Sequence, residues 1–186
     1  MARQDRGAAE PVRFALLGLL MSGPSHGYDL ARQFASGTAL GDVVRLSPSH
    51  LYALLARLER GGMIVGEQQD VGMRPQRRVF RPTDPGREAL LAWVAEPVGH
   101  PRDMRIEFPL KLYIARSMGD EHVATLVNRQ RDVFHAYVQR LEEQSKGAGV
   151  EGDAAFIDLM RAGRIGRARD ALAWLDRCEE TVLSRR

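Results

Sequence analysis

The feature that most constrains this chain is a leucine stripe in the segment SPSHLYALLARLERGG, residues 47–62. Four leucines follow an i, i+3, i+4, i+7 spacing, which places them on one side of a helix: Leu51, Leu54, Leu55 and Leu58. Ser47 and Pro48 are typical of an N-cap and a first helical residue, and Gly61 or Gly62 ends the pattern. The segment therefore predicts a helix that buries one side and leaves the other in water.

Two further helical patterns precede this helix. In EPVRFALLGLLM, apolar residues recur every three or four positions after Pro11, a residue that the first helical turn tolerates. Ser22-Gly23-Pro24 ends this pattern. The second pattern is HGYDLARQF, and Gly37 closes it. The stripe thus belongs to the third of three predicted helices.

Beyond Gly62 the pattern changes from helical to extended. MIVGEQQ and QRRVFRP predict two short strands, and the turn-rich DVGMRP joins them. Thr83 with Asp84-Pro85-Gly86 then begins another helix, REALLAWVAE, which ends before Pro97. Three helices, two strands with a loop and a further helix are the element order of a winged helix-turn-helix, in which the third helix enters the major groove of DNA.

The second half of the chain is helical throughout. The segment 96–105, EPVGHPRDMR, has two prolines and one glycine and predicts a linker. Long helical patterns then start at Asp120 and near Ala154, with a glycine-rich break between them. We predict a mainly α-helical protein with a small β-wing. It has a winged helix-turn-helix domain over 10–95, the linker, and a helical domain over 106–186.

Composition and charge narrow the function. Hydrophobic residues make up 44% and charged residues 27%, as in globular proteins. No apolar stretch approaches the roughly 20 residues that cross a bilayer. The single Cys178 cannot form an internal disulfide, so we expect a cytoplasmic protein without a membrane partner. Residues 1–95 hold 12 Arg and 9 acidic residues, whereas residues 96–186 hold 15 of each sign, so the first half is the candidate for an anionic partner.

The segment GPSHGYDL contains G-x-S-x-G, the pattern of the nucleophile elbow in α/β hydrolases. That elbow needs a strand before the serine, yet the segment before Ser25 is helical by its spacing. His26 is adjacent in sequence, so the two side chains would diverge instead of forming a nucleophile–base pair. We interpret Ser25 as the N-cap of the second helix and expect no enzyme activity. The histidines and Cys178 lack ligand spacing, so we expect no metal and no cofactor.

The outward side of the third helix and the arginine-rich wing are the candidate DNA contacts. Short polar groups near the start of the helix can reach base edges or phosphates, and arginines of the wing can contact the flanking backbone. For any single arginine the alternative is a solvated strand face. The predicted DNA-binding residues are Tyr28, Ser47, Ser49, His50, Tyr52, Arg57, Arg74, Arg77 and Arg78.

These segments resemble the PadR family of bacterial transcriptional regulators. The resemblance is carried by FALLGLLMSGPSHGYDL, SPSHLYALLARLERGGMI, QRRVF and PTDPGREAL, and covers about residues 13–91. The helical half is similar to that of the longer members of the family. Pro82 stands where the family has an aliphatic residue, so the second strand should end earlier or lie at an edge. The resemblance implies a homodimer on double-stranded DNA with a roughly palindromic operator, most simply a repressor that a small aromatic or cationic effector releases.

Three alternatives stay open at this point. The predicted dimer interface is Val133, Tyr137, Leu172 and Leu175, whose apolar stripes also suit an intrachain bundle. The predicted effector pocket is Trp93, Phe108, Tyr113 and Trp174, which also suit plain core packing. The alternative function is a protein-interaction module in which the wing arginines meet carboxylates.

Overall fold

A computed structural model of the protein describes residues 4–69, 77–146 and 153–183. The elements are α1 Gln4–Met21, β1 Ser25–His26, α2 Gly27–Gln33, α3 Ala39–Val43, α4 Pro48–Arg60, β2 Ile64–Gln69, β3 Arg77–Pro82, α5 Asp84–Ala95, the 3-10 helix η1 Pro101–Arg105, α6 Glu107–Met118, α7 Asp120–Lys146 and α8 Ala154–Leu183. The fold is mainly helical with one small sheet, which confirms the predicted fold class. None of the helices in the described ranges is long and apolar enough to cross a membrane.

The predicted third helix is α4, and its leucine stripe is the centre of the N-terminal core. The four leucines are between 0% and 4% exposed. Ser47 caps the helix, because its Oγ accepts a hydrogen bond from the backbone N–H of His50 at 3.3 Å. Gly62 follows the helix with a φ of +70°, a conformation that favours glycine. Burial of each leucine contributes about 1.5–3 kcal/mol, so the stripe fixes which side of α4 faces outward.

The sheet has the strand order β1-β3-β2 and is antiparallel. Two of its strands were predicted, and β1 was not, because two residues are too few for a periodic pattern. The expectation about Pro82 is wrong, since β3 is the central strand and extends through Pro82. The proline is tolerated because β1 pairs only with Val79 and Phe80, which leaves Pro82 beside β2 alone.

Two further expectations for the N-terminal half need correction. Pro11 does not begin the first helix but lies inside α1, which starts at Gln4. A proline removes one helical hydrogen bond, and a helix of 18 residues continues without the bond at that one position. The short helix α3 was also missed, although Thr38 caps it by accepting a hydrogen bond from the backbone N–H of Gly41 at 3.1 Å. The helix is five residues long, which is too short for a repeating apolar pattern to show in the sequence.

In the C-terminal half, α7 and α8 pack antiparallel. Arg131 of α7 pairs with Asp176 at 2.8 Å and Glu179 at 2.6 Å, and Glu142 pairs with Arg169 at 2.6 Å. A residue later in α7 pairs with a residue earlier in α8, so the two helices run in opposite directions. The first turns of α8 therefore extend past the end of α7. Four large apolar side chains of these turns are 61%, 36%, 63% and 43% exposed: Phe156, Ile157, Leu159 and Met160.

Buried polar contacts hold the segment 96–105 against the helical half. Lys111 of α6 is buried and donates to the carbonyl oxygens of Trp93 at 2.6 Å and Glu96 at 2.7 Å. Burial lowers the pKa of Lys111, an effect that the nearby Glu107 carboxylate opposes. The buried Gln130 of α7 binds both backbone groups of Val98, at 2.7 and 2.9 Å. The segment predicted as a linker is therefore fixed at its start.

Candidate nucleic-acid interface

The outward side of α4 is polar at its start and aromatic at its centre. Ser49 is exposed and its Oγ lies 3.2 Å from that of Ser47, while His50 is half-buried. Tyr52 is 51% exposed one turn further along, and Arg57 is exposed near the end of the helix. These groups offer hydroxyl, imidazole and guanidinium donors along one helix face, and the free N–H groups at the start of α4 favour a phosphate.

A cleft of about 540 Å³ lies between α2, α4 and β3. It brings together three of the predicted residues, Tyr28, Tyr52 and Arg78. Its other lining residues were not predicted: His26, Gly27, Asp29, Leu55, Ala56 and Phe80. Tyr28 is 68% exposed, so both tyrosines present their rings to whatever approaches the cleft. Helices α4 and α2 and the wing thus form one continuous surface.

Gly27 positions Tyr52 across this cleft. A Cβ atom at Gly27 would lie 2.6 Å from Cε1 of the Tyr52 ring, closer than side-chain atoms approach. The glycine therefore gives the ring room to lie over the start of α2. Sequence reasoning missed this role, because the closeness of residues 27 and 52 depends on how α2 packs against α4.

A second contact network orients Arg78 on the wing. Glu59, near the end of α4, accepts hydrogen bonds from Nη2 of Arg78 at 2.6 Å and from the backbone N–H of Gly66 at 3.1 Å. A Cβ atom at Gly66 would lie 2.6 Å from Nε of Arg78, so glycine makes space for the arginine to cross β2. The guanidinium also lies 5.4 Å from the ring centre of Phe80. The end of α4 is thereby held against the wing.

The other predicted wing residues lie elsewhere or outside the described residues. Arg77 is the first residue of β3, and Arg74 falls outside the described residues. Arg81 projects from the opposite face of β3 to Arg78 and pairs with Glu67 at 2.5 Å. Arg78 is therefore the predicted wing arginine whose side chain the structure places in the cleft.

The interpretation of Ser25 as a helix cap is wrong. Ser25 and His26 form β1, and the residue at the cap position is His26, which makes no side-chain cap bond. Ser25 Oγ donates to the carbonyl oxygen of Gly23 at 3.3 Å, and His26 Nδ1 lies 3.2 Å from the carbonyl oxygen of Arg78. Because Ser25 and His26 both pair with β3, the second helix begins at Gly27, one residue too late for Ser25 to cap it. Within the described ranges, no three His, Cys, Asp or Glu side chains are placed to hold a metal ion.

The four predicted aromatic residues do not line one common pocket in the described structure. Trp93 stacks on Phe14 with ring centres 5.1 Å apart, and Tyr113 lines a separate cavity between α1 and α6. Phe108 is fully buried and meets the edge of Trp174 at 5.6 Å. Of the predicted dimer residues, Leu175 is fully buried, whereas Val133, Tyr137 and Leu172 are half-buried.

Comparison with known proteins follows the same division of the chain. Residues 16–92, which contain the cleft, match the model of the transcriptional regulator PadR-like family. The chain is similar to this family over those residues. The resemblance drawn from the sequence is confirmed, and so is the expectation that the protein is not an enzyme, because the family consists of transcriptional regulators. Residues 104–182 match a second model, virulence activator alpha C-term.

Two curated relatives of this chain are named as transcriptional regulators. Negative transcriptional regulator PadR of Bacillus subtilis is 27% identical over 131 residues, 70% of this chain and 71% of the relative. Probable transcriptional regulator Rv1176c of Mycobacterium tuberculosis is 25% identical over 189 residues, 92% of this chain and 97% of the relative. Among solved structures, Bacillus subtilis PadR in complex with operator DNA is 23% identical with a TM-score of 0.46, covering 92% of this chain and 98% of that one.

Proposed function

We propose that this PadR-like regulator is a homodimeric cytoplasmic repressor that binds a roughly palindromic operator in double-stranded DNA. The observation that carries the proposal is the division of α4, whose apolar side is wholly buried while its outward side adjoins the arginine-bearing wing. In a winged helix-turn-helix such a helix enters the major groove. The direction of regulation follows the Bacillus subtilis relative, which is named a negative regulator.

Within this interface the residues divide into two roles. Ser49, His50 and Tyr52 on the outward side of α4 contact base edges and give sequence preference. Tyr28, Arg57 and the wing arginines Arg74, Arg77 and Arg78 contact phosphates and fix the position of the protein on the duplex. Ser47 caps α4 and so keeps the phosphate-binding N–H groups of the helix in place.

The dimer contact involves the first turns of α8. The cluster Phe156, Ile157, Leu159 and Met160 exposes more large apolar surface than any other described element. Adjacent exposed apolar side chains on one helix mark a protein contact, and a second copy of the same chain covers them most simply. The half-buried Val133, Tyr137 and Leu172 contribute their exposed parts, and Leu175 supports the interface from within the bundle.

The domain division 10–95, 96–105 and 106–186 remains part of this proposal. The first domain binds DNA, the last one dimerises, and a small-molecule effector releases the operator by changing the spacing of the two recognition helices. Because two recognition helices act together, the half-sites should lie about one helical turn apart, or a multiple of it.

A selection from random duplexes followed by fluorescence anisotropy at two salt concentrations tests the function. We expect one enriched, roughly palindromic sequence, bound at least about 10³-fold more tightly than a scrambled duplex. Binding that falls with salt but shows no sequence preference would instead support the protein-interaction module.

Light scattering of the Leu159→Asp variant tests the dimer. This variant should become monomeric, whereas Leu91→Asp should stay dimeric, because Leu91 is also exposed, at 44%, but lies on α5. Dimers in both variants would place the interface elsewhere.

A further inference from the structure

Glu59 is the single acidic residue of α4, the helix that we propose enters the major groove. A carboxylate at this place opposes DNA binding, because the phosphates of the duplex repel it. Its Oε1 accepts hydrogen bonds from the backbone N–H of Gly66 on β2 at 3.1 Å and from Nη2 of Arg78 on β3 at 2.6 Å. One carboxylate oxygen therefore joins α4 to both strands of the wing.

The pair of Arg78 and Glu59 is better supported than the other ion pair of the wing. The Glu59 side chain is 26% exposed, and its hydrogen bond to the backbone of Gly66 holds it in place. Glu67, which accepts from Arg81 at 2.5 Å, is 59% exposed and has no backbone donor among the described residues. Water and salt screen an exposed pair and leave it weak. A fixed carboxylate therefore neutralises Arg78, whereas Arg81 has only a solvated partner.

Arg78 keeps the ability to bind a phosphate while it is paired. Its side chain is 51% exposed and lines the cleft together with Tyr52. A guanidinium has five N–H donors, and Glu59 binds those of a single nitrogen, Nη2. The ring of Phe80, with its centre 5.4 Å from the guanidinium, keeps the side chain close to the strands. The pair thus has no net charge to attract a distant phosphate, but it has further donors for one at hydrogen-bond distance.

We propose that Glu59 determines specificity, because it lowers the affinity for DNA that lacks the operator sequence more than the affinity for the operator. Non-specific binding depends on the attraction between basic side chains and phosphates, and the neutral pair contributes little to it. On the operator, α4 lies in the major groove and a phosphate reaches the remaining donors of Arg78. This inference rests on the proposed function, since it requires that α4 and the wing contact DNA.

Fluorescence anisotropy of Glu59→Gln on the selected operator and on a scrambled duplex, at four salt concentrations, tests the inference. Glutamine removes the charge but keeps an acceptor for the N–H of Gly66, and urea denaturation checks that the variant is folded. We expect the scrambled duplex to bind about threefold to tenfold more tightly, with a salt slope steeper by about one, because Arg78 is then unneutralised. The ratio of operator to scrambled affinity should fall at least about threefold.

Glu67→Gln is the matched control. It makes the same change in net charge on the same sheet, but it releases Arg81 instead of Arg78. Its scrambled affinity should rise less than about twofold, because Arg81 does not line the cleft. A role of Glu59 in holding the wing alone would weaken binding to both duplexes, so tighter binding to the scrambled duplex distinguishes the two roles.

The outcomes separate this inference from the proposed function. A wild type that prefers one sequence, together with a Glu59→Gln variant whose preference falls through tighter scrambled binding, supports both. Unchanged or weaker scrambled binding in Glu59→Gln, or an equal rise in Glu67→Gln, overturns the role of Glu59, while the preference of the wild type still upholds the function. A wild type that binds no duplex, or binds all duplexes equally, overturns both.

Discussion

The two halves of the molecule leave opposite kinds of surface uncovered. In the N-terminal half α4 buries its whole leucine stripe and exposes a serine hydroxyl, a tyrosine ring and arginines. In the C-terminal half α8 pairs several of its charges with α7 and exposes four large apolar side chains. A polar helix face beside a basic wing suits an anionic polymer, whereas an apolar helix face suits another apolar face. The same helical periodicity thus produces surfaces that suit two different kinds of partner.

The difference originates in how each helix fits its neighbours. α4 has 13 residues, and caps at both ends match it to the core beneath it. α8 has 30 residues and extends past α7, so its first turns have no described helix against their apolar side chains. The apolar side chains that α7 leaves uncovered are the ones that we propose as the dimer interface.

The largest expected effect compares one leucine from each half. Leu55→Ala should lower the free energy of unfolding by about 2–5 kcal/mol, since Leu55 is 1% exposed and its loss leaves a cavity in the core. Leu159→Ala removes the same atoms from a side chain that is 63% exposed within the chain. Its effect should therefore depend on protein concentration, because it acts on dimer formation.

Urea denaturation at two protein concentrations checks both variants. Leu55→Ala should shift the midpoint equally at both concentrations. A Leu159→Ala shift that is large and independent of concentration would show that α8 is covered within the chain, and the comparison of the two halves would fail.

A second, smaller effect concerns the contact between the halves. Lys111→Met should cost about 1–3 kcal/mol, because the carbonyl oxygens of Trp93 and Glu96 lose their donor inside the protein. Burial lowers the pKa of Lys111 below its usual 10.5, so at alkaline pH the unfolded chain binds more protons than the folded one. The contribution of Lys111 to the free energy of unfolding of the wild type should therefore increase as the pH rises toward 10.5.

Urea denaturation at several alkaline pH values measures that contribution. Lys111→Met should lack it, whereas Arg116→Met, on the exposed side of the same helix, should keep it. Equal pH dependence in the wild type and Lys111→Met would mean that Lys111 is not the titrating group.

Some elements of the fold can be predicted from the sequence and others cannot, for physical reasons. Helices such as α4, α7 and α8 were predicted because many residues repeat one spacing, and caps such as Ser47 and Thr83 are local. β1 and α3 were missed because elements of two and five residues carry no period. In the candidate site, the outward residues of α4 follow from the stripe. The roles of Gly27, Glu59 and Gly66 do not, because each depends on a contact between elements far apart in sequence.

A third prediction tests the cleft through Gly27. Gly27→Ala should weaken operator binding about tenfold, because the added Cβ displaces the Tyr52 ring, which we propose contacts the DNA. Stability should change little, since Tyr52 is half exposed and can swing outward, and alanine is a better helix former than glycine. A double-mutant cycle with Tyr52→Ala separates the cause. If Gly27 acts through Tyr52, Gly27→Ala should have no further effect in the Tyr52→Ala background, whereas additive losses would refute this role.

The smallest effect distinguishes the two faces of the wing. Arg78→Ala should reduce the slope of log affinity against log salt by about one, because one phosphate contact releases about one counterion. Arg81→Ala is the matched control, since Arg81 lies on the same strand and also pairs with a carboxylate, but on the opposite face. Its slope should be unchanged if the DNA contact on that face ends at Arg77, because Arg81 lies near the end of β3, close to the start of α5. Anisotropy titrations at four salt concentrations measure both slopes. Equal losses would mean that the duplex also contacts Arg81, so that the DNA contact extends along β3 toward α5.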